Sequence, residues 1–186
     1  MICPLLVISL GAHRLFYLGA STMSFIAQRQ IVPSADDVTD VDDKGEKVTA
    51  GYFWPAIALS DLRLAARIAG DITTTRLKHA TCEAVAHVTE QLEEWQGAQQ
   101  QAGHSTLAAV PAGQINGESV RVYRYRRAVY SLARASILEG YRDVTTTAKG
   151  EKSTDALDQQ IDDLWRDARW CIADIQKRPR VFAELF

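Results

Sequence analysis

Between Glu118 and Gly150 the chain reads ESVRVYRYRRAVYSLARASILEGYRDVTTTAKG, a proline-free run crowded with tyrosine and arginine. At ~3.6 residues per helical turn, Val122, Tyr125, Val129, Leu132, Ala133 and Ser136 share one stripe, which predicts a helix over Ser119 to Tyr141 with that stripe turned to a core. A second apolar strip, Tyr123, Tyr130, Ile137 and Tyr141, lies well round the cylinder, and Arg121, Arg124, Arg127, Arg134 and Arg142 occupy the remainder. A helix of this kind has two surfaces to cover. In one reading a small bundle covers both strips, with tyrosine hydroxyls and guanidinium groups reaching water at the surface. In the other, the second strip and the arginines meet another chain, because Tyr and Arg are enriched at interfaces while Lys, absent from the run before Lys149, is depleted there.

The flanking segments supply what would pack around this helix. Gly51 to Leu59, GYFWPAIAL, sets three aromatics beside a proline and is too short and irregular for a helix, so it is expected to close one end of the core. Ser60 has N-cap chemistry and Asp61 suits the positive helix end, predicting a short helix from Asp61 to Ala69 that stops at Gly70. With Thr74 or Thr75 as cap, Leu77, Thr81, Ala84, Val88, Leu92 and Trp95 then recur at spacings of four and three, the mark of a single-stripe helix running to about Ala102. Gly103 to Gly117 is a connector with at most one short turn at Thr106 to Ala109, and Asn116 or Ser119 opens the arginine and tyrosine helix. After Tyr141 a threonine-rich loop leads to a last helix from Ser153 or Asp155. Its stripe is Leu157, Ile161, Leu164, Ala168, Ile172 and Ile175, its outer face carries Asp155, Asp158, Asp162, Arg166 and Arg169, and Pro179 ends it. Trp170 falls roughly opposite that stripe among Asp163, Asp167 and Asp174, where an indole is a candidate contact with a neighbouring subunit.

These periods define an all-α chain: a small antiparallel helical bundle over residues 51–178, with a C-terminal tail at 179–186. With 186 residues, 47% hydrophobic and 24% charged, one domain can bury roughly two thirds of its unfolded surface. Residues 1–22 contain a short apolar run broken by His13 and Arg14, well under the ~20 residues of a membrane helix. They lack the basic start of a signal peptide and are expected to be an appended extension, with Met23 as a second start. Residues 23–50 form an acidic arm, with Asp36, Asp37, Asp40, Asp42, Asp43 and Glu46 against Lys44 and Lys47, and have little apolar surface to offset the entropy of ordering. Such an arm is a mobile, solvated linker, or a tether that orders on a basic surface of a neighbouring subunit. Cys3, Cys82 and Cys171, odd in number and unrelated in spacing, read as free thiols.

Catalytic and metal chemistry find no footing in the pattern. No G-x-S-x-G elbow, P-loop, G-x-G-x-x-G fingerprint or zinc-finger spacing occurs. His79, Glu83 and His87 share a helix face, but a metal needs further ligands converging from elsewhere, so they read as a solvated polar face. No cofactor is expected and no enzymatic activity. The formal net charge of -2 excludes a global attraction to nucleic acid, leaving only the local run Arg121, Arg124, Arg126 and Arg127 with Tyr123 and Tyr125, which could contact phosphates and stack bases.

An ordered set of runs carries a resemblance: MSFIA at Met23, WPAIALSDLRLAARIAG at Trp54, GESVRVYRYRRAVYSLARASILEGYRD at Gly117, TAKG at Thr147 and IDDLWRDARWCIADI at Ile161. From Met23 onward the chain resembles the head completion proteins of tailed temperate phages, the GPL family; residues 1–22 depart from it. The resemblance implies a structural protein that adds to the portal vertex after DNA packaging, retains the genome and offers a surface for tail joining. It implies subunits of connector-adaptor type, arranged as a ring expected to be twelvefold. The implied partners are the portal protein, tail-completion or tail proteins and further copies of the chain, with packaged double-stranded DNA nearby and no membrane. The implied location is the head–tail connector of the virion, reached from the host cytoplasm during assembly. No catalytic or cofactor residues carry over. A closed ring needs two different complementary faces, so Arg121, Tyr123, Arg124, Arg127, Tyr130, Arg134 and Trp170 are the candidate subunit or portal interface, an arginine-rich face meeting an aspartate-rich one. The alternative is a DNA-contacting accessory protein of packaging that uses the arginine and tyrosine helix.

Overall fold

The computed structural model describes residues 43–142 and 151–180. Its long helices follow the apolar stripes: α2 spans Thr74–Gln91, α4 Val120–Arg142 and α5 Glu151–Gln176, with the shorter α1 at Leu59–Ala65 and α3 at Glu93–Gln101. Two ribbons of two-residue strands complete it. β1 (Lys47–Val48) pairs antiparallel with β2 (Ile57–Ala58), and β3 (Gln114–Ile115) with β4 (Glu118–Ser119). Helix α4 packs on both α2 and α5. The ties along these seams fix their directions: Asp71, just before α2, meets Tyr141 at the end of α4, while Asp174 near the end of α5 meets Arg124 near the start of α4. The architecture is therefore the expected all-α antiparallel bundle, with small ribbons added at its edges.

The stripes are the core. Val122, Tyr125, Val129, Leu132 and Ala133 of α4 are buried, as are Leu77, Thr81, Ala84 and Val88 of α2 with Leu92 just after it, and Ile161, Ala168, Ile172 and Ile175 of α5. Ser136, assigned to the α4 stripe by its period, is exposed. Thr81 tolerates burial because its hydroxyl donates to the Leu77 carbonyl at 2.7 Å. One end of the bundle is closed by aromatics, as the sequence predicted. Trp54 stacks on Tyr125 at 4.9 Å between ring centroids, Phe53 meets Trp54 edge-on at 4.9 Å, and the Trp54 indole donates to Gln96 at 3.0 Å.

Several boundaries differ from the sequence reading, each for a backbone reason. Helix α1 begins at Leu59, with Ala58 as an uncapped N-cap, because Ile57 and Ala58 are held in the ribbon with β1. It ends at Ala65 in a Schellman turn, Arg67 N–H donating to Leu64 and Ile68 N–H to Arg63, with Arg67 left-handed at φ 50° and Ile68 buried beyond it. The N-cap of α2 is Thr73, whose hydroxyl accepts from Arg76 N–H. The helix expected to run unbroken to Ala102 breaks at Leu92, where φ -103° and ψ 4° leave helical geometry. Asn116, read with Ser119 as an alternative opening of the arginine and tyrosine helix, instead forms with Gly117 the tight turn between β3 and β4, both at positive φ, and the helix starts at Val120, just after Ser119. The short turn expected in the connector is present as a 3-10 turn at Leu107–Ala109, capped by Thr106.

The acidic arm, expected to be solvated through Ala50, is anchored from Asp43 onward. The rest of residues 23–50, the extension at 1–22 and the last residues of the tail lie outside the described residues, as does the loop at 143–150. Among the described residues no helix is long and apolar enough to cross a membrane.

Candidate functional site

The charged side chains that the sequence offered as sticky faces are largely spent inside the chain. Along the α4–α5 seam, Arg124 donates to the Asp174 carbonyl at 3.2 Å and lies 3.4 Å from its carboxylate, and Arg127 reaches Asp167 at 2.9 Å. Arg126 pairs back to Glu118 at 2.7 Å. Hydrogen bonding from Arg180 above all, together with the charges of Arg124, Arg180 and Arg127, holds the Asp174 carboxyl below its ordinary range, against the opposing effect of burial. Asp167 in turn raises the Arg127 pKa.

Arg121 was placed on an exposed basic surface, and the structure corrects this. It is 8% exposed, its guanidinium lies 5.2 Å over the Trp95 ring, and burial lowers its pKa. Trp170 is half-buried between two cations, Arg166 at 4.9 Å and Arg180 at 5.1 Å. The arginine-rich and aspartate-rich faces thus meet within one subunit. The head-to-tail contact built on pairing those two faces between subunits loses its charges, because they already have partners.

What remains of the candidate surface is a groove. Tyr123, Tyr130 and Arg134 of α4, Asp61 and Ala65 on α1, and Leu164 of α5 line an open cleft of about 480 Å³, with Arg126 and Arg127 also on its walls. Tyr123 is 55% exposed. Tyr130 is half-buried, and its hydroxyl pKa is raised first by burial and then by the charge of Asp61. Arg134 has no ion pair or hydrogen bond among the described residues. The structure therefore sorts the seven candidates: Tyr123, Arg127, Tyr130 and Arg134 share the groove, Arg121 is buried, Arg124 is held partly exposed at the α4–α5 seam, and Trp170 stands apart on α5.

The most demanding polar cluster was not foreseen. Arg63 is 1% exposed, and its guanidinium donates to both Asp43 oxygens at 2.8 and 2.6 Å and to the carbonyls of Ala69 and Ile72 at 3.0 Å each. Thr74 adds a hydroxyl donor to Asp43 at 2.7 Å. One buried ion pair thus ties the 3-10 turn at Asp43, helix α1, the following loop and the start of α2. The Arg63 hydrogen bond lowers the Asp43 pKa despite burial. Periodicity points the other way, since Leu64 beside it is 52% exposed. Only the isolation of one arginine within the apolar run IALSDLRLAA hinted at a paired, buried role.

Of the polar face on α2, His87 packs edge-on against Trp165 at 5.5 Å and meets Gln91 at 2.6 Å. Among the described residues no group of three or more His, Cys, Asp or Glu side chains could hold a metal ion. Cys82 is exposed, and burial raises the pKa of Cys171.

Comparison with known proteins agrees with the resemblance. The phage head completion protein (GPL) family matches residues 48–186. The head completion/stabilization protein of Escherichia phage P2 is 41% identical over 129 residues, which are 69% of this chain and 76% of that protein. No solved structure matches. The helices that carry the candidate groove all lie within the matched span, and the chain belongs to the phage head completion protein (GPL) family.

Proposed function

We propose that this chain, in completing and stabilising a phage head, adds to the portal vertex after packaging, retains the genome and forms part of the connector to the tail. The observation that carries the reading is the 41% identity to the P2 head completion/stabilization protein, over a span that includes most of the bundle. The physical chemistry is compatible with it. A body whose charges are internally paired is a rigid block, and a plug against packed DNA has to resist outward pressure through many repeated contacts. Copies are inferred to stand as a ring against the portal, with tail proteins as the next partners and DNA nearby. Tyr123, Tyr130 and Arg134 are the residues left to make a contact, since a guanidinium and two tyrosines around an apolar cleft are the side chains most favoured at interfaces.

The DNA-contacting alternative is weaker on this geometry. Of its run, Arg121 is buried over Trp95 and Arg124, Arg126 and Arg127 hold carboxylates, so little free positive charge is left for phosphates. The deciding experiment is to make heads without this chain. Heads that package DNA but then lose it, become open to added nuclease and fail to accept tails support the proposal. Heads that keep their genome and join tails normally refute it.

A further inference from the structure

The second apolar strip of α4 repeats by sevens. Tyr123, Tyr130 and Ile137 recur at that interval, and Arg127, Arg134 and Tyr141 follow each of them by four residues. Such a repeat keeps facing a second helix that packs along the first. The bundle leaves the strip open. Tyr123, Tyr130 and Arg134 line the groove of about 480 Å³ described above, and Arg134, Ile137 and Tyr141 line a further cleft of about 310 Å³, so that Arg134 joins the two. Together they follow α4 for about 27 Å, at ~1.5 Å per residue from Tyr123 to Tyr141. We propose that this groove receives an acidic amphipathic helix of a different head or tail protein, its apolar residues on the tyrosine strip and its carboxylates at Arg134 and Arg67. This rests on the assembly role proposed above and gives the chemistry of one partner.

Charge selects the occupant. Four guanidinium groups line the two clefts, Arg67, Arg126, Arg127 and Arg134, against the carboxylates of Asp61 and Asp71. Arg126 and Arg127 are held by Glu118 and Asp167, whereas Arg67 and Arg134 have no ion pair among the described residues. Between them the floor is apolar, from Ala66 and Leu164 at one end to Ile68 and Leu138 at the other. An apolar helix face edged with carboxylates answers that pattern, while a row of phosphates would meet Asp61 and Asp71. The sequence holds no such helix to spare. Two heptads take about 14 residues, more than 143–150 or 181–186 contain. In 1–42 every acid lies at 36–42, and Pro33 separates them from every leucine and aromatic residue of that stretch. On a second copy the other helices of that length, α2 and α5, carry no exposed large apolar side chain among the described residues. Two copies joined strip to strip would set arginine against arginine. A different protein is what remains.

Photo-cross-linking from the groove tests this. Heads are completed with the full chain carrying Tyr123→p-benzoylphenylalanine or, at the other end of the strip, Ile137→p-benzoylphenylalanine, then irradiated, digested and the joined peptides sequenced. Both positions are expected to join one segment of a different head or tail protein, with apolar residues at helical spacing and Asp or Glu beside them. Arg134→Glu should lower the yield about fivefold, as for the loss of a surface ion pair, and lysine in place of the nearest carboxylate of the joined segment should restore it. Cross-links within the chain, to a second copy or to DNA overturn the proposal, as do a joined segment without acids and the absence of product from both positions. If heads carrying the variants keep their DNA while the cross-links go elsewhere, the partner assignment fails and the head-completion reading stands. Heads that hold their genome and join tails without this chain would remove that reading instead.

Discussion

Arg63 shows how much one residue can organise. Four of its five N–H donors meet two carboxylate oxygens and two carbonyls in a site closed to water, so removing either side of the ion pair strands a charge. Arg63→Met or Asp43→Leu alone is expected to cost about 3–5 kcal/mol in urea unfolding, whereas the double substitution should recover most of that loss, because no charge is left unpaired. The same pair makes stability depend on acid. Asp43 titrates lower in the folded chain than when unfolded, so the unfolded chain takes up the proton first. The stabilisation is complete above about pH 4 and is lost as pH falls through the lowered folded value. Unfolding midpoints measured from pH 6 downward should fall below about pH 4, and the fall should be shallower in the Arg63→Met chain.

At the scale of elements, the ends of helices are where the backbone departs from the sequence pattern. Helix α5 stops at Gln176, short of Pro179, in a Schellman turn in which Lys177 N–H donates to Asp174 and Arg178 N–H to Ala173. Lys177 pays for that turn with a left-handed φ of 56°, which glycine adopts without the clash of a Cβ. Lys177→Gly is therefore expected to stabilise the chain by about 1 kcal/mol, read as a higher urea midpoint. The reverse holds at the β3–β4 turn. Gly117 sits at φ 77° with open space where a Cβ would stand, so Gly117→Ala should cost about 1–2 kcal/mol through backbone conformation alone. Helix α3 ends on Gly103 at φ 92° by the same motif, with Gly103 and His104 donating to Gln100 and Gln99.

Across the whole molecule, ion pairs close the α4–α5 seam but contribute little each. Arg127 and Asp167 are partly solvated, and a double-mutant cycle with alanine at both should give a coupling of about 0.2–1 kcal/mol in urea unfolding. Tyr123→Ala and Arg134→Ala should act on assembly instead. Their side chains line an open groove, so unfolding should stay within about 0.5 kcal/mol of the parent chain while the number of copies per head falls, measured by quantitative mass spectrometry of purified particles.

Alternation of apolar residues at helical spacing needs no knowledge of neighbours, so the three long helices, their buried stripes and the aromatic cap around Trp54 were legible from the residues alone. The family was legible for a related reason: an ordered set of local runs survives in the chain. Partner choice is not a local property. Arg124, Arg126 and Arg127 look equally available in a helical projection, and only the approach of α5 and of Glu118 gave them carboxylates. Asp43 reads as one more acid in a solvated arm, and only the return of α1 beneath it made it the buried partner of Arg63. Spacing along one helix decides which side chains point the same way, but whether a charge faces water, a carboxylate or another subunit depends on segments distant in sequence, and that was settled by the packing of the helices.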